Sequence, residues 1–190
     1  MQLINNTSKD KLRGGFYTPK AIAKFILKWC FNGSSTHDVL EPSCGDGVFL
    51  EEMKNGGYKF KSVTAIELDP DEALKARETK LNNTEILNTD FHQFCISTNK
   101  RFDFVIGNPP YIRYQFFNKE QQSYAAEIFN KADMKYSKLT NSLVSFVVGA
   151  SLLLKPEGKI AFVLPAEILQ VSYAKCLLSL IHISEPTRPY

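Results

Sequence analysis

The chain has 190 residues, 44% of them hydrophobic, and 23 Lys and Arg stand against 20 Asp and Glu for a net charge of +3. That length and apolar content suit one α/β domain with a sizeable core, and the mild positive balance is compatible with nucleic acid without arguing for it. Cys30, Cys44, Cys95 and Cys176 form no CxxC pair, so neither a zinc site nor a disulfide framework is implied and no metal is expected.

Residues 1–13 read as a loose polar leader. Thr18-Pro19 looks like an N-cap and an N1 proline opening a helix with Ile22, Phe25, Ile26 and Trp29 on one face. A short strand follows at Val39-Leu40, ending at Glu41-Pro42, then a helix over Val48 to Lys54. Ser62 to Leu68 predicts a second strand, and Pro70 to Lys80 a helix with acidic residues in its first turn. Glu85-Ile86-Leu87 is a third strand and Phe102 to Ile106 a fourth. Helices are predicted over Gln121 to Asn130 and Leu143 to Leu154, the second buried, with a fifth strand over Lys159 to Leu164. This alternation predicts a doubly wound, mainly parallel sheet with flanking helices, whose ligands sit at the carboxyl ends of the strands. The longest apolar stretch, Leu143 to Leu154, is too short and too rich in Ser and Gly to span a bilayer, and no signal peptide opens the chain. The expectation is a cytoplasmic protein with no membrane partner.

Asn108-Pro109-Pro110-Tyr111 closes the fourth strand. Two prolines lock the backbone and remove two N–H donors, so carbonyls are left facing outward. Asn108 adds an amide and Tyr111 a flat ring, a combination suited to gripping a planar group that carries an NH2. An adenine-type amine is a poor nucleophile, because its lone pair is delocalised into the ring. The Asn108 side-chain oxygen and the Pro109 carbonyl could bind its two hydrogens and aim the lone pair at an electrophilic methyl. Tyr111 would stack on the base. By itself the tetrapeptide fits a Pro-rich strand-to-helix turn equally well.

Three other strand ends carry suggestive residues. In Glu41-Pro42-Ser43-Cys44-Gly45-Asp46-Gly47, the glycines allow a tight turn and a close backbone approach to a ligand. The third glycine of a dinucleotide fingerprint and the GK[ST] of a P-loop are both missing. Glu41 and Asp46 oppose a phosphate and favour a cation such as a sulfonium. Glu67 lies about 20 residues past the glycine turn, the separation at which an acid reaches a ribose diol in nucleotide-binding sheets. Asp90 could accept from an adenine amine while Phe91 packs on the ring. Each alone passes as a solvated carboxylate or an ordinary helix start; together they describe a pocket for an adenosine bearing a positively charged sulfur.

With these motifs in order, the chain resembles the N6-adenine DNA methyltransferases of restriction–modification systems, in the gamma arrangement. Phe16-Tyr17-Thr18-Pro19 is similar to that family's N-terminal motif, in which Tyr17 and Thr18 would pack over the methionine end of S-adenosylmethionine. Glu41, Pro42, Cys44, Gly45, Asp46 and Gly47 match its first core motif. Glu67, with Leu68 beside it, matches the ribose-binding acid, and Asp90 and Phe91 match the contacts to the cofactor's adenine. Asn108, Pro109, Pro110 and Tyr111 match the catalytic motif, Asn108 counting among the cofactor contacts as well. Lys159 to Pro165 matches the following strand. The resemblance implies a Rossmann-like S-adenosylmethionine-dependent methyltransferase fold over residues 14–177. It also implies double-stranded DNA with a flipped adenine as partner, and leaves open a cognate restriction endonuclease.

The family pattern then breaks. Residues 178–188 resemble one reading frame of a transposase-based sequencing adapter, so 178–190 is read as a non-native tail. On that reading the fold is incomplete at its C-terminus, lacks a target-recognition domain, and is expected to be inactive on DNA as an isolated chain. Protein-glutamine N5-methyltransferases, which also use such a tetrapeptide, and RNA methyltransferases that modify adenine or guanine amines are the alternative readings. A cofactor-binding fragment without turnover is the non-enzyme one.

Overall fold

A computed structural model describes residues 17–31, 36–112, 117–136 and 142–164. The leader, Phe16, Pro165, Cys176 and the adapter-like tail lie outside them. In chain order the elements are α1 (Lys20–Cys30), β1 (Asp38–Glu41), α2 (Val48–Asn55), β2 (Ser62–Glu67), α3 (Pro70–Glu78) and β3 (Thr84–Asn88). There follow α4 (Phe91–Ser97), β4 (Phe102–Gly107), α5 (Lys119–Lys131), α6 (Ser142–Leu152) and β5 (Leu154–Phe162).

The five strands lie in the order β3-β2-β1-β4-β5 and every pairing is parallel. The chain starts in the middle of the sheet, winds out to β3, and returns to the other side of β1 at β4. The order therefore reverses between β1 and β4, where a crevice opens beyond the strand ends. Side chains alternate across the pleat, and this splits the core in two. Leu40, Ile66 and Val105 face α4, α5 and α6. Val39, Val63, Ala65, Phe104 and Ile106 face α1, α2 and α3.

Local chemistry starts the helices. Asp69 caps α3 by accepting from the N–H groups of Asp71 and Glu72, with Pro70 at the first helical position. Asn118 and Gln121 form a reciprocal capping box on α5. At the amino ends of the strands, Lys155 Nζ bonds Asp38 at 2.7 Å and Asp103 at 2.8 Å, tying β1, β4 and β5. The Lys155 ammonium holds the Asp38 carboxyl down at about 2.

Four expectations change. The apolar face of α1 is rotated: Ala23, Ile26, Leu27 and Cys30 are buried, while Ile22, Phe25 and Trp29 are exposed. Smaller side chains face inward because α1 packs against α2 and β5, and Lys159 sits over the Trp29 ring. Pro19, not Thr18, is the cap of α1, and Thr18 is buried instead. The fifth strand begins at Leu154 rather than Lys159, because a register shift lets Pro156-Glu157-Gly158 interrupt the pairing without ending it. Helix α4 was not expected; its signal is local, with Asp90 capping a turn that buries Phe91, Phe94 and Cys95.

Candidate active site

The turn after β1 is held from the neighbouring strand. Glu67, at the end of β2, accepts from the Gly45 N–H and the Asp69 N–H, each at 2.8 Å. Its carboxylate thus fixes the glycine turn as well as facing the cleft, and each oxygen keeps a second acceptor position. Gly45 has a φ of +53° and nothing within 4 Å of where a Cβ would stand, so its backbone is open to a ligand. Gly47 differs: at φ +92° its absent Cβ would lie 3.0 Å from Ala76 Cα and 3.1 Å from Thr79 Cγ2. The close approach at Gly47 is to α3, not to a ligand. Gly47→Ala is expected to cost about 2–4 kcal/mol, from overpacking plus left-handed backbone strain, against about 1 kcal/mol for Gly45→Ala. Urea unfolding of the two variants reads this directly, and equal midpoints would refute it.

Beyond β4, the Asn108 carbonyl accepts from Ser43 Oγ at 3.1 Å, which joins the two loops across the switch point. Asn108 and Pro110 reach the cleft. Pro109 is buried away from the wall, and Tyr111 turns its hydroxyl to donate to the Val163 carbonyl at 2.7 Å. Burial pushes the Tyr111 phenol well above its usual value.

The cleft has a volume of about 410 Å³. It gathers Tyr17, Thr18, Glu41, Pro42, Cys44, Gly45, Asp46, Glu67, Leu68, Asp90, Phe91 and Asn108, all expected from sequence. Tyr17 donates weakly to Glu72 at 3.5 Å, closing one side. Six carboxylates line it, those of Glu41, Asp46, Glu67, Asp69, Glu72 and Asp90, and no Lys or Arg does so among the described residues. Glu41 is fully buried, and neither of its oxygens has a hydrogen-bond partner among the described residues. Burial, with Glu67 and Asp46 adding repulsion, pushes its carboxyl well above the usual range. Asp46 is raised by burial and by Glu72, and Glu67 is raised by burial against the pull of its two backbone N–H donors.

Asp90 goes the other way. Burial opposes its ionisation, but His92, Gln121 and the Gln93 N–H outweigh it and hold the carboxyl below its usual value. Oδ1 accepts from the N–H groups of His92 and Gln93, and Oδ2 accepts from Gln121 Nε2 at 3.2 Å, leaving Oδ2 room for one further donor. Phe91 packs on Phe146, with ring centroids 4.6 Å apart. Glu72, His92, Gln121, Ser142 and Phe146 also line the cleft and were not expected there. His92 adjoins Phe91 and Glu72 stands in the acidic first turn of α3, whereas Gln121, Ser142 and Phe146 come from distant helices and leave no local signal.

A parallel sheet of this order, with an acid-lined cleft at its switch point, is the fold of the S-adenosylmethionine-dependent methyltransferases. It superposes on a Listeria monocytogenes protein assigned to class I of those enzymes with a TM-score of 0.70, at 16% identity, over 89% of this chain and 54% of that one. The Eco57I restriction-modification methylase family model matches residues 20–185, and the chain belongs to that family. Among curated relatives, the Type II methyltransferase M.CvrRI of Paramecium bursaria Chlorella virus XZ-6E is 36% identical over 55% of this chain and 26% of its own length. M.XamI of Xanthomonas campestris pv. amaranthicola is 25% identical over 92% of the chain and 36% of its own length. A tRNA1(Val) (adenine(37)-N6)-methyltransferase of Haemophilus influenzae is 27% identical over 68% of the chain and 54% of its own length. The chain thus spans 26–43% of the length of the Type II methyltransferases and the modification methylase it matches.

Proposed function

We propose that the chain carries the cofactor site and acceptor loop of a DNA methyltransferase that modifies adenine N6. Buried Glu41, without a hydrogen-bond partner among the described residues, carries this reading together with a cleft lined by six carboxylates, because such a site suits a cationic nucleoside and repels a pyrophosphate. S-adenosylmethionine fits that donor set and, when bound, supplies a methyl group on a positively charged sulfur. Glu41 and Asp46 would face its charged end, Glu67 its ribose, and Asp90 with Phe91 its adenine, while Tyr17, Thr18 and Leu68 exclude water from the rim. Asn108 Oδ1 would accept one hydrogen of the substrate amine and so localise its lone pair, and the Pro109 carbonyl would accept the other once Pro109 moves from behind the cleft wall. Tyr111 would have to leave its Val163 contact to stack on the base, a rearrangement that arrival of a flipped nucleotide could drive. The nitrogen gives up its proton to solvent as it gains the methyl.

The family and the Type II relatives support DNA as substrate, and a relative named for adenine N6 supports the atom. That same relative is named for a tRNA and keeps RNA as the second reading. The test is transfer from labelled S-adenosylmethionine to duplex DNA, to RNA and to a release-factor protein, followed by nucleoside digestion. N6-methyldeoxyadenosine from DNA alone is expected. Label confined to RNA or to glutamine would replace the reading.

A further inference from the structure

Helix α6 begins at Ser142, which is 1% exposed and bonded to the acceptor loop three times. Its hydroxyl donates to the Pro110 carbonyl and accepts from the Ile112 N–H at 2.7 Å. Its own N–H donates to the Ile112 carbonyl at 2.9 Å. Pro109 and Pro110 lack N–H groups, so this loop has few donors with which to anchor itself. Ser142 supplies an anchor from outside.

One turn further on, the buried Ser145 hydroxyl bonds the Ser142 carbonyl at 2.7 Å and lies 2.6 Å from His92 Nε2. His92, itself buried, has Nδ1 3.2 Å from Asp90 Oδ1. A run of polar contacts, joined through the covalent frame of Ser142, therefore crosses from the carboxylate on one side of the cleft to the acceptor loop on the other. It passes beside the rings of Phe91, Phe117 and Phe146. Polar groups in such apolar surroundings are costly unless each is satisfied, and a plain apolar turn would pack α6 as well.

We propose that Ser142 is the positioning residue of the acceptor loop, and that Asp90, His92 and Ser145 tie it to the subsite for the cofactor's adenine. Occupation of the cofactor site then stiffens the loop that receives the substrate amine. This rests on the methyl-transfer reading above, but the bonds of Ser142 can be tested without turnover.

The experiment compares Ser142→Ala, Ser142→Thr and His92→Leu in the intact enzyme. Ser142→Ala is expected to lower kcat about 10- to 100-fold, by letting the loop drift. The S-adenosylhomocysteine dissociation constant from calorimetry should rise only by the factor by which the ligand slows loop exchange in the wild type, because the coupling is reciprocal, and the remainder of the loss belongs to the transition state. Ser142→Thr keeps the hydroxyl and should restore most of the rate. Hydrogen–deuterium exchange over residues 108–112 should quicken in Ser142→Ala and not in Ser142→Thr. S-adenosylhomocysteine should slow that exchange in the wild type and fail to do so in His92→Leu. Unchanged kcat and exchange in Ser142→Ala would overturn the assignment, as would equal losses in the alanine and threonine variants. Equal slowing in His92→Leu and the wild type would overturn the link. An enzyme that methylates no nucleic acid would remove the functional reading instead, leaving exchange to decide the role of Ser142.

Discussion

Asn108→Ala should abolish methyl transfer, with kcat falling about 10³-fold, while S-adenosylhomocysteine still binds within about threefold of wild type. The expectation follows from placement. Asn108 sits where β4 leaves the sheet beside β1, its backbone held by Ser43 and its side-chain oxygen screened from solvent. On the proposed reading, this preorganised acceptor would act on an amine whose lone pair must be withdrawn from its ring, and removing it would take away an interaction that strengthens as the nitrogen becomes tetrahedral. Cofactor affinity would, on the same proposed reading, rest on other residues, chiefly the carboxylates at the ends of β1, β2 and β3. Single-turnover rates and calorimetry separate the two quantities. Retained turnover would show that the amine is activated elsewhere.

Glu41→Met should make the protein more stable and nearly unable to bind its cofactor. A buried carboxyl without partners is destabilising by about 1–3 kcal/mol, and a side chain of similar size without polar atoms removes that penalty. The melting temperature should rise by several degrees. Cofactor affinity should fall about 100-fold or more, because a cation arriving beside the carboxyl favours its ionised form and finds no such buried partner in Glu41→Met. Glu41→Gln keeps the unpaired polar atoms, so it should lose affinity without gaining stability. The pH dependence has a definite sign. The Glu41 carboxyl is raised in the fold, so the protonated form is the one the fold favours. Stability from this group is whole below the usual carboxylate pKa and is lost as pH rises through the raised value. The wild-type melting temperature should therefore decline across that window relative to Glu41→Met. Parallel curves, or a less stable Glu41→Met, would remove Glu41 from the cation site.

Much of this site was readable along the chain because its signals are local. Glu41 to Gly47, Glu67, Asp90 with Phe91, and Asn108 to Tyr111 each end a strand, and the strands announce themselves by apolar runs stopped by Pro, Gly or Asp. The α/β alternation then brings those ends to one edge of a parallel sheet. Helix faces were less readable. On α1 the bulky Phe25 and Trp29 outweigh Ala23 in any periodicity, yet α2 and β5 leave room inside only for the smaller stripe.

Strand ends, the chemistry each presents and the family they resemble can be read along the chain, since they depend on residues within a few positions of one another. Which groups meet is a matter of how the strands and helices pack. Register between β1 and β4 brings Ser43 to Asn108, and the turn after β1 hands Gly45 to Glu67 and Gly47 to Ala76. The packing of α5 and α6 brings Gln121 to Asp90, Ser145 to His92 and Ser142 to Pro110. These pairs are 22 to 65 residues apart, and contacts at that range follow from strand order and helix packing, which no local pattern encodes.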